Sequence, residues 1–215
     1  MFRVKGTRIT LGVLLLVTLT GTATGARAAS IVLPRAGQVG IGIQGQFGSL
    51  MKSGGLGEEF GSGPGLAVRL KYRMRYERGI GLSFETQSLD ARTPGRSEGT
   101  FLGINDPDTT LVRDRVVLTC AGFDLYQMFD TRSKTVKMLS AGIGIAQVSA
   151  RLSDGETQYP LAGDGMYLTA GAGLEKFFYR SWAWDFSTRY QAVFLDGKVN
   201  HDVQASLGLI FYAAY

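Results

Sequence analysis

The segment Asp202 to Tyr215, DVQASLGLIFYAAY, constrains the fold more than any other part of the chain. Its odd positions, Val203, Ala205, Leu207, Leu209, Phe211, Ala213 and Tyr215, are all apolar. The early even positions, Asp202, Gln204, Ser206 and Gly208, are polar or small. Successive side chains of a strand point to opposite faces, so this is a strand with one apolar and one mostly polar face. Left as an open edge such a strand aggregates. Closing a sheet on itself gives it a partner.

Seven further segments alternate in the same way: Gln38–Gly48, Leu66–Tyr76, Ile80–Ser88, Val116–Phe129, Met138–Val148, Met166–Phe178 and Trp182–Phe194. The second is the clearest. Leu66, Val68, Leu70, Tyr72, Met74 and Tyr76 share one face; Ala67, Arg69, Lys71, Arg73 and Arg75 share the other. Segments of about ten residues are long enough to cross a bilayer when tilted. The connections alternate in length. Ser49–Gly63, Leu89–Asp114 and Ser149–Gly165 read as long loops and Leu195–His201 as a short one, while 77–79, 130–136 and 179–181 read as tight turns. GSGPG at Gly61–Gly65 lacks the lysine of a phosphate loop and reads as loop punctuation. No strand–helix alternation appears, which excludes a doubly wound sheet. The expected fold is therefore all-β: a closed, eight-stranded, antiparallel up-and-down transmembrane β-barrel.

Period-two alternation alone does not say which face is outside. A soluble periplasmic lipocalin-like carrier turns its apolar face inward. Three features favour the membrane assignment. Apolar faces carry aromatics near the strand ends (Phe47, Tyr76, Phe129, Phe178, Trp182, Phe194, Tyr215), as interfacial girdles do. The opposite faces combine charge with many glycines, which suits a narrow polar lumen. The third is the leader. Arg3, Lys5 and Arg8 precede the apolar run Ile9–Thr20 and the small-residue site Ala26-Arg27-Ala28. This is the pattern of a cleaved secretory signal peptide over residues 1–28, leaving 29–215 as one domain. Twelve apolar residues are too few for the roughly 20 of a spanning helix. Losing the leader removes four basic residues and no acidic ones, so the net charge falls from +5 to +1. The basic balance therefore gives no reason to expect a nucleic-acid partner. Cys120 is the single cysteine, so no intrachain disulfide can form.

With these features the chain resembles the small eight-stranded outer-membrane proteins of Gram-negative bacteria, the barrel of outer-membrane protein A and the outer-membrane protein X group. The resemblance rests on the leader, the eight alternating segments, the asymmetry of loops and turns, and the closing strand with its terminal aromatic. It implies an exported cell-envelope protein, porin-like in architecture and monomeric. Its partners would be outer-membrane lipid and the barrel-assembly machinery, which reads the C-terminal strand. The sequence shows no zinc-ligand spacing, phosphate loop or calcium loop, so neither cofactor nor metal is expected.

The sharpest candidate site is the basic ladder Arg69, Lys71, Arg73, Arg75. If the apolar faces meet lipid, the ladder points into the lumen with Arg189, against the inward carboxylates Glu85, Asp124, Glu175 and Asp185. Unpaired buried charge costs several kcal/mol, so the expectation is an ion-paired plug with Arg73 mid-strand, sharing a carboxylate with Lys71 and Arg75. The alternative is a narrow channel for small solutes or ions. Arg92, Arg96, Glu98, Asp106 and Asp108 in the longest loop are candidates for contact with an external ligand, since binding residues concentrate in loops. Some outer-membrane barrels are lipid A-modifying enzymes using a His–Ser pair. His201, the only histidine, has Ser206 nearby in sequence but no deacylase-like motif, so no catalytic residue is assigned.

Overall fold

The computed structural model describes residues 35–53, 55–92, 96–97, 111–112, 115–153, 158–179 and 181–213, with backbone alone at 96–97, 111–112, 150–153 and 158–162. The leader, Glu98, Asp106, Asp108 and Tyr215 lie outside the described residues. Ten strands and one short helix follow in order: β1 (Val39–Leu50), α1 (Leu56–Glu59), β2 (Ser62–Arg73), β3 (Arg78–Asp90), β4 (Arg96–Ser97), β5 (Leu111–Val112), β6 (Arg115–Phe129), β7 (Thr135–Ser153), β8 (Gln158–Tyr179), β9 (Trp182–Leu195) and β10 (Lys198–Tyr212).

Eight of the strands form the barrel wall. Each pairs antiparallel with the next, and β1 closes on β10 from Gly40↔Tyr212 to Leu50↔Asp202. Closure leaves the wall without an edge, so its backbone groups are satisfied within it, the condition for a sheet to cross hydrocarbon. The strands β4 and β5 are a two-residue ladder in the long connection, joined to β7 through Val112↔Ser153. Burial alternates along the wall. In β9, from Trp182, it runs exposed, buried, exposed to the last turn. The exposed set is the apolar one: Ile43 is 59% exposed, Leu82 56% and Ile145 67%. Water does not tolerate such a surface over a whole wall; lipid does.

Several boundaries differ from the sequence reading, among them the start of β3, which takes Arg78 and Gly79 from the expected 77–79 turn. β2 begins at Ser62, inside the supposed loop, and ends at Arg73, where the 74–77 turn begins. The GSGPG stretch is thus strand from Ser62 onward, with Phe47↔Pro64 in register. An added Cβ at Gly63 would lie 1.7 Å from the Ser88 carbonyl oxygen, so glycine there is a close-approach residue. Residues 149–153 and 158–165, read as loop, continue β7 and β8, which pair from Thr135↔Lys176 to Ser153↔Gln158, well past the rim set by β9 at Gly165↔Leu195. Beyond the bilayer such a ribbon needs no apolar stripe, so the alternation fades while the pairing continues. Leu195–His201 is likewise mostly strand. Its turn is only Asp196-Gly197, both at positive φ (49° and 72°), the twist that two-residue hairpins require.

Candidate functional site: a four-tier lumen

The buried faces of the eight strands fill the lumen in tiers. Nearest the tight turns, Tyr126, Met128, Val136, Met138, Phe177, Ala183, Ile210 and Tyr212 form an apolar stopper. Phe177 and Tyr212 pack with ring centroids 5.9 Å apart.

Above it lies the charged tier, with two centres. Lys71 Nζ contacts Glu175 at 2.8 Å and Asp185 at 2.6 Å, and Arg73 Nη2 reaches the other Glu175 oxygen at 3.0 Å. The Tyr212 hydroxyl donates to Glu175 at 2.9 Å. Glu175 and Asp185 are register partners on β8 and β9, which is why one lysine from across the lumen can serve both. In the second centre Glu85 accepts from Arg69 at 3.2 Å and from Arg189 at 2.8 Å. Arg189 lies 2.6 Å from Asp124, to which Tyr126 donates at 3.0 Å. Arg69 also donates to Ser187 at 2.9 Å, which contacts Ser206 at 2.6 Å. The Lys71 ammonium and the Arg73 guanidinium sit over the Tyr126 and Tyr212 rings, 5.1 and 5.0 Å from their centroids. All eight charged groups are nearly inaccessible to solvent.

Arg75 is not among them. It is exposed in the 74–77 turn, where its N–H bonds to the Arg78 carbonyl. Arg73 is correspondingly the last residue of β2, not mid-strand, and shares Glu175 with Lys71 alone. At the rim both faces of the chain reach water, so an arginine can keep the alternation without entering the lumen. The correction leaves four cations against four carboxylates, a neutral set, as a low-dielectric interior favours.

The third tier is made of amides. Gln204 Nε2 lies 3.1 Å from the side-chain oxygens of Gln87 and Gln191 and 3.0 Å from Asp202. Gln44 and Gln46 are buried with neither amide atom partnered among the described residues, the kind of group that water normally satisfies inside proteins.

The last tier faces the long connections. Leu50, Leu56, Phe60, Leu89, Leu118, Val148, Val193 and Leu195 pack into an apolar plug that includes Cys120 and Tyr167. Gly122 and Gly144 give Tyr167 its room: an added Cβ on either would lie 2.2 and 2.6 Å from that ring system. The connection between β1 and β2 folds inward to supply Leu56 and Phe60. Asn200 Oδ1 accepts from the Leu56 N–H at 2.7 Å. Arg92 donates to the Gly57 carbonyl at 2.9 Å and also to the Leu50 carbonyl.

The other sequence-assigned residues fall as follows. Arg92 is half-buried and engaged with the plug, so it is not free for an outside ligand. Arg96 is in β4, known here by its backbone. The aromatics Phe47, Tyr76, Phe129, Phe178, Trp182 and Phe194 are all exposed, between 40% and 56%. Trp182 packs on Phe211 at 5.0 Å and Phe178 on Trp184 at 5.7 Å. His201 is not in a loop. It lies in β10, stacks on Tyr190 and takes a hydrogen bond with its hydroxyl. Ser206 is five residues on, so strand parity puts it on the opposite, lumenal face with Ser187; the two cannot meet. The stopper and the plug went unread because mainly the polar members of each inward face stood out. Parity did hold the signal: Ile210 and Tyr212 continue the even face of Asp202, Gln204 and Ser206.

Neither a family model nor a curated protein sequence matches the chain. Solved structures do. Neisserial surface protein A aligns with a TM-score of 0.55 at 16% identity, over 80% of this chain and 96% of that one. The attachment invasion locus protein Ail of Yersinia pestis aligns with a TM-score of 0.55 at 15% identity, over 83% and 99%. A major outer membrane protein of Thermus thermophilus aligns with a TM-score of 0.51 at 13% identity, over 81% and 99%. The chain has the fold of the small eight-stranded barrels of the bacterial outer membrane.

Proposed function

We propose that the protein is an integral outer-membrane barrel with a sealed lumen, acting through the surface at its loop end rather than by conducting solute. The observation that carries this reading is the pairing of an exposed apolar wall with an interior stopped at both ends, the charged tier lying between the stoppers. Eight strands enclose little more than their own side chains, and here those side chains are large and mutually engaged. The loop end carries the β7–β8 ribbon, whose pairing continues past the rim set by β9.

The test is topological. Asp196→Cys places a thiol at the loop end and Arg132→Cys one at the turn end, while native Cys120 is buried in the plug. In intact cells an impermeant maleimide should label the first variant and not the second. Labelling of both, or recovery of the protein in the soluble fraction, rejects the reading.

A second reading, a narrow conduit for small solutes, draws on the amide tier and the inward strap. Outward movement of the 51–61 segment would remove Leu56 and Phe60 from the loop-end plug and expose the glutamines beneath.

A further inference from the structure

The two rims of the barrel differ in charge. At the turn end the connections 74–77 and 130–134 and the adjoining strand ends expose Arg75, Arg78, Arg132, Lys134, Lys137 and Lys176 against two carboxylates, Glu77 and Asp130. Lys137 pairs with Asp130 at 3.0 Å. Among the described residues no ion pair engages the other five cations. At the loop end acids predominate: by sequence the connection 91–114 holds three arginines and four acids, and 154–157 holds two acids and no base.

The turn-end cations lie where the wall stops being greasy. Lys137 is in register with Leu174 and Phe129, and Lys176 with Trp184 and Thr135. Both lysines are exposed on the outward face beside exposed aromatics. Long basic side chains in that position keep their stems on hydrocarbon and their charge in the headgroup layer. Between the two turns an open cleft of about 800 Å³ is lined by Tyr76, Arg132, Lys137, the hydroxyl-bearing Thr131, Ser133 and Thr135, and both carboxylates, Glu77 and Asp130, so the excess positive charge of this rim comes from Arg75, Arg78, Lys134 and Lys176 around it. Cations, hydroxyl donors and an interfacial aromatic are the groups that hold a phosphodiester at a bilayer surface.

We infer that the turn-end collar binds the anionic headgroups of phospholipids in the leaflet it faces, retaining phosphatidylglycerol-type lipid around this rim in preference to zwitterionic lipid. The inference rests on the bilayer-embedded reading. Arg75, absent from the lumen, belongs to this collar.

The folded full-length barrel, its fold verified by heat-dependent gel migration, is reconstituted in phosphatidylcholine with a trace of spin-labelled phosphatidylglycerol or spin-labelled phosphatidylcholine. The motionally restricted fraction of each label is then measured. The expected preference for the anionic label is about five-fold, of the order one or two near-surface cations supply. It should vanish in the variant Arg75→Gln/Arg78→Gln/Arg132→Gln/Lys134→Gln/Lys176→Gln and in wild type at high salt. It should persist in the loop-end triple Lys52→Gln/Arg115→Gln/Lys198→Gln. Equal restriction of the two labels by wild type overturns the inference, as does a preference that survives loss of the turn-end cations. So does co-sedimentation of wild type with purified peptidoglycan in the absence of any lipid preference. If neither label is restricted, it is the bilayer-embedded reading that fails.

Discussion

The turn-end half of the lumen holds four cations and four carboxylates, while the loop-end half holds glutamines and one carboxylate, Asp202, under hydrocarbon. Both are equally buried, yet they are built on different rules. In the charged half Glu175 serves Lys71, Arg73 and Tyr212, and Glu85 serves Arg69 and Arg189, so each carboxylate holds several strands together. In the upper half Gln44 and Gln46 reach no protein partner among the described residues, and packing of Leu56 and Phe60 does the closing. Removing one member of a buried ion network strands the others in low dielectric, whereas an unpartnered amide has little left to lose.

The largest expected effect follows from that difference. Glu175→Gln leaves Lys71 and Arg73 with one carboxylate between them and should cost about 3–5 kcal/mol. The measurement is the urea unfolding midpoint in detergent micelles or bilayers. A loss under about 1 kcal/mol would mean that the charged tier is solvated and not paired.

Leu56→Ala should cost about 2 kcal/mol, the low end for a buried leucine, because the strap that carries it can settle into the gap. Its mark should be local. Amide hydrogen exchange should quicken across 51–61 and leave β2 and β8 protected, as expected where a peripheral unit opens independently of the whole. Uniform acceleration throughout the barrel would join the two halves into one cooperative unit.

Gln44→Leu should change stability by less than about 1 kcal/mol and could raise it, since an apolar group of similar shape replaces a polar one without a protein partner. A loss as large as that of Glu175→Gln would show that the amide tier is a structural network in its own right. The smallest effect belongs to Arg75→Gln, within about 0.5 kcal/mol as for an ordinary surface position. A larger penalty would return Arg75 to the lumen.

These contrasts also show what the sequence could carry. Parity placed Arg69, Lys71, Arg73, Glu85, Asp124, Glu175, Asp185 and Arg189 on inward faces, because one buried face forces a strict two-residue repeat over the whole bilayer thickness. The repeat has no force beyond the rims. Arg75 kept the pattern after the ladder had ended, and the outer parts of β7 and β8 lost it while their pairing continued. The apolar tiers were hidden for another reason. Leu118 and Val193 stand on inward faces beside the outward Val117 and Phe194, so both faces are greasy there and alternation no longer tells them apart. The inward fold of 51–61 depends on Arg92 and Asn200, each distant in sequence from the segment it holds, and no local pattern announces it.

Planar-bilayer recording of the purified wild-type barrel tests the sealed lumen most directly. The two stoppers and the neutral ion network between them predict a flat trace, without steady, uniform conductance steps across the applied voltages. Reproducible steps of one size, present in wild type and altered by Lys71→Gln, would contradict the account and make the charged tier the lining of an open pore.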